Sequence, residues 1–382
     1  MTTTATIPVN PQGLTSSLQA FFRSVLALSD IRALLVPLRL PVNHAVMPTL
    51  VTDAAAMAHA APLSPVFPLN AARMAARLTR KPMGGKIAAF LRPCEFRAFV
   101  ELVKLKQART EELVLIGIDC PGAFSNRESA HIVQHQVLES DDAFCSTLLS
   151  GTSLPEGLDL SPACRACEHP VPAQADLAIS LLGVETQNGL PVTAQSEAGE
   201  AVLCAIGLPA APLPASRAAA VEAFIARRID FRDRMFADTA AAVNTVEKLE
   251  RYFAACVNCY NCRVACPVCY CKECVFVTGA FDHEPFQYLK WSERKGAIKM
   301  PTDTLFYHIT RLAHMSTACV GCGQCSNACP NDIAVMELFR LVAHDTQRAF
   351  DYSAGKSVDD PPPLSGFRED EFQEVVGMEP VR

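Results

Sequence analysis

The stretch CVNCYNCRVACPVCYCKEC, residues 256–274, sets the organisation of this chain, because it places seven cysteines within nineteen residues. It opens with the spacing C-x2-C-x2-C-x3-C-P. The same spacing returns in CVGCGQCSNACP, residues 319–330. Three closely spaced thiols fit a tight loop, while the fourth arrives at the end of the run, where a proline stops the local chain from continuing as a helix.

The repeated spacing is the run of bacterial-type ferredoxins, in which the fourth cysteine of each run ligates the other cluster. We therefore predict two 4Fe-4S clusters. The first ligand set comprises Cys256, Cys259, Cys262 and Cys329. The second ligand set comprises Cys266, Cys319, Cys322 and Cys325. Structural zinc also favours CxxC pairs and is the alternative, but two complete runs favour clusters.

Three further cysteines, Cys269, Cys271 and Cys274, follow the first run so closely that we include them among the candidate metal ligands. They could bind zinc with a ligand from elsewhere, hold a fourth cluster with a borrowed ligand, or exchange roles with Cys266. The remaining alternative is three reduced thiols beside the first cluster.

Composition limits the classes of function. The chain has 382 residues, half of them hydrophobic, which predicts two or three globular domains. Its formal net charge is −6, and no stripe of Lys and Arg is present, so a nucleic-acid partner is not expected.

The cysteine content and the first residues of the chain predict the cellular compartment of the protein. The start MTTTATIPVNPQG lacks the positive and apolar regions of a signal peptide, and no apolar segment approaches the roughly 18–20 residues of a membrane span. Thiols destined for iron need a reducing compartment. We predict a cytoplasmic protein without a transmembrane segment.

The amino-terminal half alternates buried strands with cysteine turns. Residues 87–91 and 113–118 are short apolar runs, followed by Cys94 and Cys120 respectively. Strands that are apolar along their whole length indicate a parallel or mixed sheet covered on both faces. Because ligands bind at the carboxyl ends of such strands, we expect both cysteines at a site.

A CxxC pair completes a third candidate set of thiols. Cys164 and Cys167 precede another strand-like run, and with Cys94 and Cys120 they predict a third cluster, against the alternatives of zinc and buried inert thiols. We refer to these four residues as the third ligand set. Cys145 and Cys204 have no such partner and are predicted to be small buried hydrophobes.

Periodicity organises the rest of the chain. Residues 14–26 predict an amphipathic helix, residues 40–70 loops with a short helix or two, and residues 191–206 a hairpin turning at Ala198-Gly199. The predicted domains are an α/β flavin and iron–sulfur domain, a linker and helix, an α+β two-cluster ferredoxin-like domain and an extended tail, at residues 1–206, 207–254, 255–345 and 346–382.

Three motifs carry a resemblance to a known family. They are RPCEFRA at residues 92–98, IGIDCPG at 116–122 and CRACEHPVPAQADLAISLLG at 164–183. The chain resembles the coenzyme F-420 hydrogenase and dehydrogenase beta-subunit family from about residue 46 to about residue 352. With two ferredoxin motifs, it is similar to formate dehydrogenase beta subunits and to subunits beside heterodisulfide-reductase-like complexes. In hydrogenase-type members the ferredoxin part precedes the flavin domain, the reverse of the order here.

The resemblance implies an iron–sulfur flavoprotein that holds FAD beside the third ligand set. No GxGxxG fingerprint precedes a helix, so a Rossmann-type site is not supported. In residues 81–97, two glycines allow close backbone approach and four basic side chains could neutralise a pyrophosphate. The predicted flavin contacts are Lys81, Gly84, Gly85, Lys86, Arg92 and Arg97.

The expected function is that of an electron-transfer subunit. It would move electrons between a partner dehydrogenase or hydrogenase subunit and a hydride carrier such as coenzyme F-420, through FAD and 4Fe-4S clusters. The alternative is a non-enzymatic ferredoxin-like conduit in a heterodisulfide-reductase-like complex, and a zinc-bound structural module is a third possibility. No residue is predicted to act as a catalytic acid, base or nucleophile.

Overall fold

A computed structural model describes residues 3–41, 45–135, 140–279, 284–295 and 303–366. Within them, seven strands form one sheet. The strands are β1 (Thr4–Ile7), β2 (Ile31–Arg39), β3 (Val46–Val51), β4 (Lys86–Leu91), β5 (Leu113–Ile118), β6 (Leu177–Ile179) and β7 (Leu190–Ala194).

The described α-helices are interspersed with these strands as far as β7, and after β7 the described regular structure is helical. They are α1 (Leu14–Leu26), α2 (Ala72–Leu78), α3 (Pro93–Lys104), α4 (Asn126–His135), α5 (Asp141–Leu149), α6 (Pro162–Arg165), α7 (Glu197–Ile206), α8 (Arg217–Val243), α9 (Val246–Tyr252), α10 (Asn261–Ala265), α11 (Pro285–Lys295), α12 (Asp303–Met315), α13 (Gln324–Asn327) and α14 (Val335–Ala349).

The sheet is mixed, in the order β1-β7-β6-β5-β4-β2-β3. Strands β2, β4, β5 and β6 are parallel neighbours, while β3 pairs antiparallel with β2, and β7 pairs antiparallel with both β6 and β1. The predicted strands at residues 87–91 and 113–118 are confirmed as β4 and β5, which are buried almost throughout. The α/β class predicted for the amino-terminal half is therefore confirmed.

Two hydrophobic clusters cover the two faces of the sheet. One joins the sheet to α1, α5 and α7. The predicted amphipathic helix at residues 14–26 is confirmed as α1, and its Phe22 and Val25 are fully buried in this cluster. The other joins α2 and α3 to the cysteine-rich part of the chain through residues such as Phe253, Met315 and Phe339. The ferredoxin-like part thus shares a continuous core with the sheet domain.

The predicted hairpin at residues 191–206 is wrong, because β7 is followed by helix α7. The Ser196 hydroxyl caps this helix by accepting a bond from the Gly199 amide, and Glu197 lies in its first turn. Gly199 serves close packing, since a Cβ there would lie 2.1 Å from the Asp176 carbonyl oxygen. The glycine therefore marks a tight approach of helix to sheet.

Two other segments differ from the sequence expectation. The loops predicted for residues 40–70 include the edge strand β3, in which only the two end residues are buried, so that no alternation of buried and exposed positions marks it. The tail predicted from residue 346 begins with the last turn of α14, and Ala354 beyond it is fully buried. Residues 367–382 lie outside the described residues. In the part of the chain that the structure describes, no helix is long and apolar enough to cross a membrane.

Candidate functional site

The first ligand set surrounds one small cavity. Its lining includes Cys256, Cys259, Cys262 and Cys329, together with Tyr307 and His308 from α12. Asn258 and Tyr260 adopt left-handed backbone conformations between the cysteines, with φ of 50° and 60°, which folds the run into a tight loop. The fourth cysteine comes from the second ferredoxin run, as the exchange of ligands between runs predicts.

The second ligand set surrounds a neighbouring cavity. Cys266, Cys319, Cys322 and Cys325 line it. Gly321 has φ of 68°, and a Cβ there would lie 2.7 Å from the Arg340 guanidinium, so this loop requires glycine. The structure therefore brings each predicted set of four ferredoxin cysteines to its own cavity.

Burial changes the pKa values of the thiols in the second set. Burial raises the pKa of Cys319, Cys322 and Cys325, and a neighbouring Cys266 thiolate raises each of them further. A metal must displace these protons when it binds, and the binding energy then adds to the folding energy.

The surroundings of the two cavities fit clusters that carry acceptor sulfides. Each cavity offers four thiols, and two buried side-chain nitrogen atoms beside them, His308 Nδ1 and Arg311 Nε, have no hydrogen-bond partner among the described residues. In the described ranges, no group of three or more Cys, His, Asp or Glu side chains meets closely enough to hold a single metal ion. The cysteines of a 4Fe-4S cluster need not meet so closely, since each binds a different iron atom.

The third ligand set gathers at the carboxyl ends of the parallel strands. Cys94 lies in the first turn of α3 after β4, Cys120 follows β5, and Cys164 and Cys167 lie in and after α6. Burial raises the pKa of the Cys120 thiol to about 11, and the Cys164 and Cys167 thiolates raise it further. The Arg92 guanidinium opposes this shift.

Cys94 connects the third set to the second. Burial and the Glu95 carboxylate raise the pKa of the Cys94 thiol well above its ordinary value, and the Cys322, Cys120 and Cys167 thiolates contribute in the same direction. These interactions require the thiols to lie near one another. The third set is therefore assembled in space, and it adjoins Cys322 of the second set.

The six predicted flavin contacts are not brought together. Lys81, Gly84, Gly85 and Lys86 lie before or at the start of β4, at the amino end of the sheet, where Lys86 pairs with Asp30 at 3.0 Å. Arg92 and Arg97 lie beyond the opposite end of that strand. Six strand residues separate the two groups by roughly 20 Å.

Arg92 and Arg97 both donate hydrogen bonds to main-chain carbonyl oxygens. Arg92 Nη2 donates to the Ser64 carbonyl oxygen at 2.7 Å, and its guanidinium lies 4.6 Å from the centre of the Phe67 ring. Arg97 Nε donates to the carbonyl oxygen of Ala354 at 3.0 Å. One side of Arg97, however, also lines a cavity of about 690 Å³.

This large cavity lies between the third ligand set and the segment after α14. Glu168 and His169, directly after Cys167, line it together with Arg97, Arg348 and Lys356. Burial lowers the pKa of His169 to about 2, with the Arg97 charge as the next cause, so its imidazole is neutral. The volume is in the range of small-molecule and cofactor sites. The lining holds three basic side chains, Arg97, Arg348 and Lys356, and three acidic ones, Glu168, Asp351 and Asp360.

The remaining cysteines differ from one another in their burial. Cys269 is buried, and burial raises its pKa to about 11, with the Cys266 thiolate as the next cause, whereas Cys271 is exposed and Cys274 half-buried. Metal binding by these three remains a prediction. Cys145 is buried in the core as expected, but Cys204 is exposed on α7, so the prediction that it is buried is wrong.

Sequence reasoning missed the polar residues of α12. Tyr307, His308 and Arg311 are all buried and contact cysteines of the first set. Their spacing of three and four residues was available in the sequence. What was missing was a reason to place a polar helix face toward the interior.

Comparisons with known proteins agree with the cysteine motifs. Residues 314–334 match the 4Fe-4S binding domain family. The F420-dependent formate dehydrogenase subunit beta of Methanocaldococcus jannaschii is 27% identical over 83% of this chain and 85% of its own. The F420-dependent formate dehydrogenase 1 subunit beta of Methanococcus maripaludis is 26% identical over 74% of this chain and 76% of its own.

A solved structure is also similar. A chain in the F420-reducing [NiFe] hydrogenase complex from Methanosarcina barkeri aligns with 64% of this chain and 94% of its own, at a TM-score of 0.46 and 13% identity. The resemblance predicted from the cysteine motifs is confirmed by the two sequence relatives, which are oxidoreductase subunits, and by the 4Fe-4S binding domain.

Proposed function

We propose that the chain is the iron–sulfur flavoprotein subunit of a dehydrogenase or hydrogenase complex. It moves electrons between a catalytic partner subunit, formate dehydrogenase-like in view of its sequence relatives, and a two-electron carrier such as coenzyme F-420. A reducing compartment such as the cytoplasm suits it, because all of its seventeen cysteines are free thiols.

The observation that carries the proposal is the succession of thiol sets. Cys259 of the first set is exposed, which favours this end for exchange with a partner. Arg311 bonds Cys262 of the first set and lines the cavity of the second. Cys94 of the third set interacts with Cys322 of the second, and residues after Cys167 line the large cavity. Three clusters in this order form a path through the molecule.

The large cavity is our candidate for the flavin. FAD, when bound, would exchange single electrons with a cluster and electron pairs with a carrier. Arg348 and Lys356 could neutralise its pyrophosphate, and Arg97 is the one residue of the six predicted contacts that lines this cavity. The cavity also adjoins the third ligand set, where the resemblance implies the flavin.

Charge reversal in the large cavity, compared with the same change at the amino end of β4, tests the flavin position. In a double variant, Arg348→Glu and Lys356→Glu, we expect the FAD content to fall at least several-fold while the iron content stays at that of the parent. The matched control, Lys81→Glu and Lys86→Glu, carries the same charge change at the amino end of β4 and should retain FAD. The reverse result would move the flavin to the residues around Gly84 and Gly85.

A further inference from the structure

Helix α12 turns a polar face toward the interior. Tyr307, His308 and Arg311 are 0%, 1% and 4% exposed, whereas Phe306 and Ile309 on the same helix are 55% and 46% exposed. An ordinary amphipathic helix buries its apolar side chains and leaves its charged ones in water. The inversion requires something in the interior that compensates the buried polar groups.

The compensating groups are the sulfur atoms of the first ligand set. Arg311 Nη1 donates to Cys262 Sγ at 3.1 Å, and Arg311 Nη2 donates to the Cys262 carbonyl oxygen at 3.1 Å. The Tyr307 hydroxyl oxygen lies 3.4 Å from the same sulfur. His308 Nε2 lies 3.4 Å from Cys256 Sγ. Three residues within little more than one turn of α12 thus contact two ligands of one set.

The buried guanidinium of Arg311 has no carboxylate partner in the part of the chain that the structure describes. Among the described residues, no Asp or Glu forms an ion pair with Arg311, which instead lies 4.7 Å from the centre of the Phe339 ring. An isolated buried cation is costly. Negative charge on the neighbouring thiolates and on a cluster that they hold would offset that cost.

The contacts of α12 with the second ligand set differ from its contacts with the first. Met315 Sδ lies 4.0 Å from Cys266 Sγ, and Arg311 lines the cavity of this set, but in the described structure it forms no hydrogen bond to the sulfur atoms of the set. Arg340 and Arg97 lie near Cys319 of that set, but the hydrogen bonds and ion pairs that they form with described residues go to oxygen atoms, as in the 3.5 Å pair between Arg340 and Glu168. Among the described residues, hydrogen bonds from N–H and O–H groups of α12 to cysteine sulfur are therefore found only in the first set.

We propose that α12 sets the reduction potential of the cluster held by the first ligand set, with Arg311 as the principal positioning residue. Hydrogen bonds to sulfur and a nearby positive charge favour the reduced, more negative form of a cluster, and both raise its potential. The inference rests on the proposed function, because it requires a cluster at the first set. It adds which helix controls that cluster.

The test is a redox titration of the anaerobic full-length protein followed by electron paramagnetic resonance. We expect Arg311→Met to lower the midpoint potential of the first-set cluster by more than that of any other cluster. Tyr307→Phe removes one hydroxyl and should cause a smaller shift in the same direction. Arg311→Lys, which keeps the charge but loses the paired N–H groups, should lie between Arg311→Met and the parent.

Two further variants make the titration specific. Cys259→Ser alters a ligand of the first set and identifies its signal. Tyr252→Phe removes a hydroxyl that donates to the Ala334 carbonyl oxygen at 2.6 Å, so it should leave every midpoint unchanged. If Arg311→Met does not fold or does not hold iron, the Tyr307→Phe shift alone decides the question.

The outcomes separate the two claims. A parent protein without cluster signals would refute the proposed function before any variant is compared. A parent with its clusters, and Arg311→Met or Tyr307→Phe variants with full iron content and unshifted midpoints, would overturn the role of α12 alone. An equal shift of all clusters in Arg311→Met would also overturn it, because that result reflects a general charge effect.

Discussion

The Arg97 guanidinium in α3 donates a hydrogen bond of 3.1 Å to the carbonyl oxygen of Val320, the residue that follows Cys319 of the second ligand set. A second bond, from Nε to Ala354, holds the segment after α14. Burial lowers the pKa of this arginine from its ordinary value. One buried side chain thus joins the α/β sheet domain, a cluster loop and the carboxyl-terminal segment.

Replacing Arg97 with Met should destabilise the protein markedly. The change leaves the Val320 and Ala354 carbonyl groups without this partner, and unpaired buried groups of this kind cost about 2–4 kcal/mol together. The midpoint of anaerobic urea unfolding measures the loss. Arg73→Met is the control, because Arg73 makes one exposed bond to the Val264 carbonyl oxygen. Equal small losses in both variants would contradict the linking role of Arg97.

A buried charge pair fixes the long helix α8 to the sheet. Arg217 Nη1 and Nη2 lie 2.5 and 3.0 Å from the Asp119 carboxylate, which is fully buried beside Cys120. Arg217→Gln should cost about 3 kcal/mol of unfolding free energy, because it leaves a buried carboxylate without its cation.

The matched control for Arg217 is an ion pair of similar length at the surface. Arg127 and Asp332 lie 2.8 Å apart with 82% and 65% of their side chains exposed. Arg127→Gln should change the unfolding free energy by less than about 0.5–1 kcal/mol. A loss for Arg217→Gln no larger than this control would show that α8 is held by its apolar contacts alone.

Serine substitutions test the third ligand set. Cys94→Ser, Cys120→Ser, Cys164→Ser and Cys167→Ser should each reduce the iron content from about twelve to about eight atoms per chain, since one 4Fe-4S cluster is lost. Cys145→Ser and Cys204→Ser remove thiols outside the three sets and should retain all the iron. Full iron in the four single variants would refute a third cluster at these residues.

Alkaline pH should release the segment that follows α14. The Tyr352 hydroxyl donates to Glu101 Oε1 at 2.6 Å, and burial, followed by this bond and the Glu101 charge, raises the pKa of Tyr352. A group with a raised pKa in the docked state stabilises docking below its ordinary pKa of about 10, and the stabilisation is lost as the pH rises above that value.

Hydrogen exchange between pH 8 and 11 measures the release. We expect protection of residues 350–356 to fall more steeply in the parent than in Tyr352→Phe, which has no ionisable hydroxyl. Parallel curves for the two proteins would mean that other groups control the docking.

The sequence was sufficient to predict those features in which the chemistry determines the spacing of the residues. The ferredoxin runs and the cysteines after β4 and β5 were predicted as sets, and the structure brings each set together, because ligand number and strand topology leave few arrangements. The apolar runs of β4 and β5 were equally clear, since buried parallel strands are hydrophobic along their whole length.

Features that depend on distant contacts were not predictable. Gly199 was interpreted as a turn residue, but its role is to let α7 approach the Asp176 carbonyl. Gly355, with φ of 74°, is packed against the Arg97 backbone and fixes a segment that composition alone describes as a tail. The burial of the polar face of α12 is explained only by the sulfur atoms of the first ligand set, which lie against it.

The central claim is that three clusters connect a partner subunit to a flavin within this chain. Anaerobic analysis of iron, zinc and flavin in the purified protein tests it most directly. We predict about twelve iron atoms, little zinc and one FAD per chain, with a visible spectrum that bleaches on addition of dithionite. About eight iron atoms and no flavin would contradict the claim and favour a two-cluster conduit, and a colourless zinc protein would exclude electron transfer altogether.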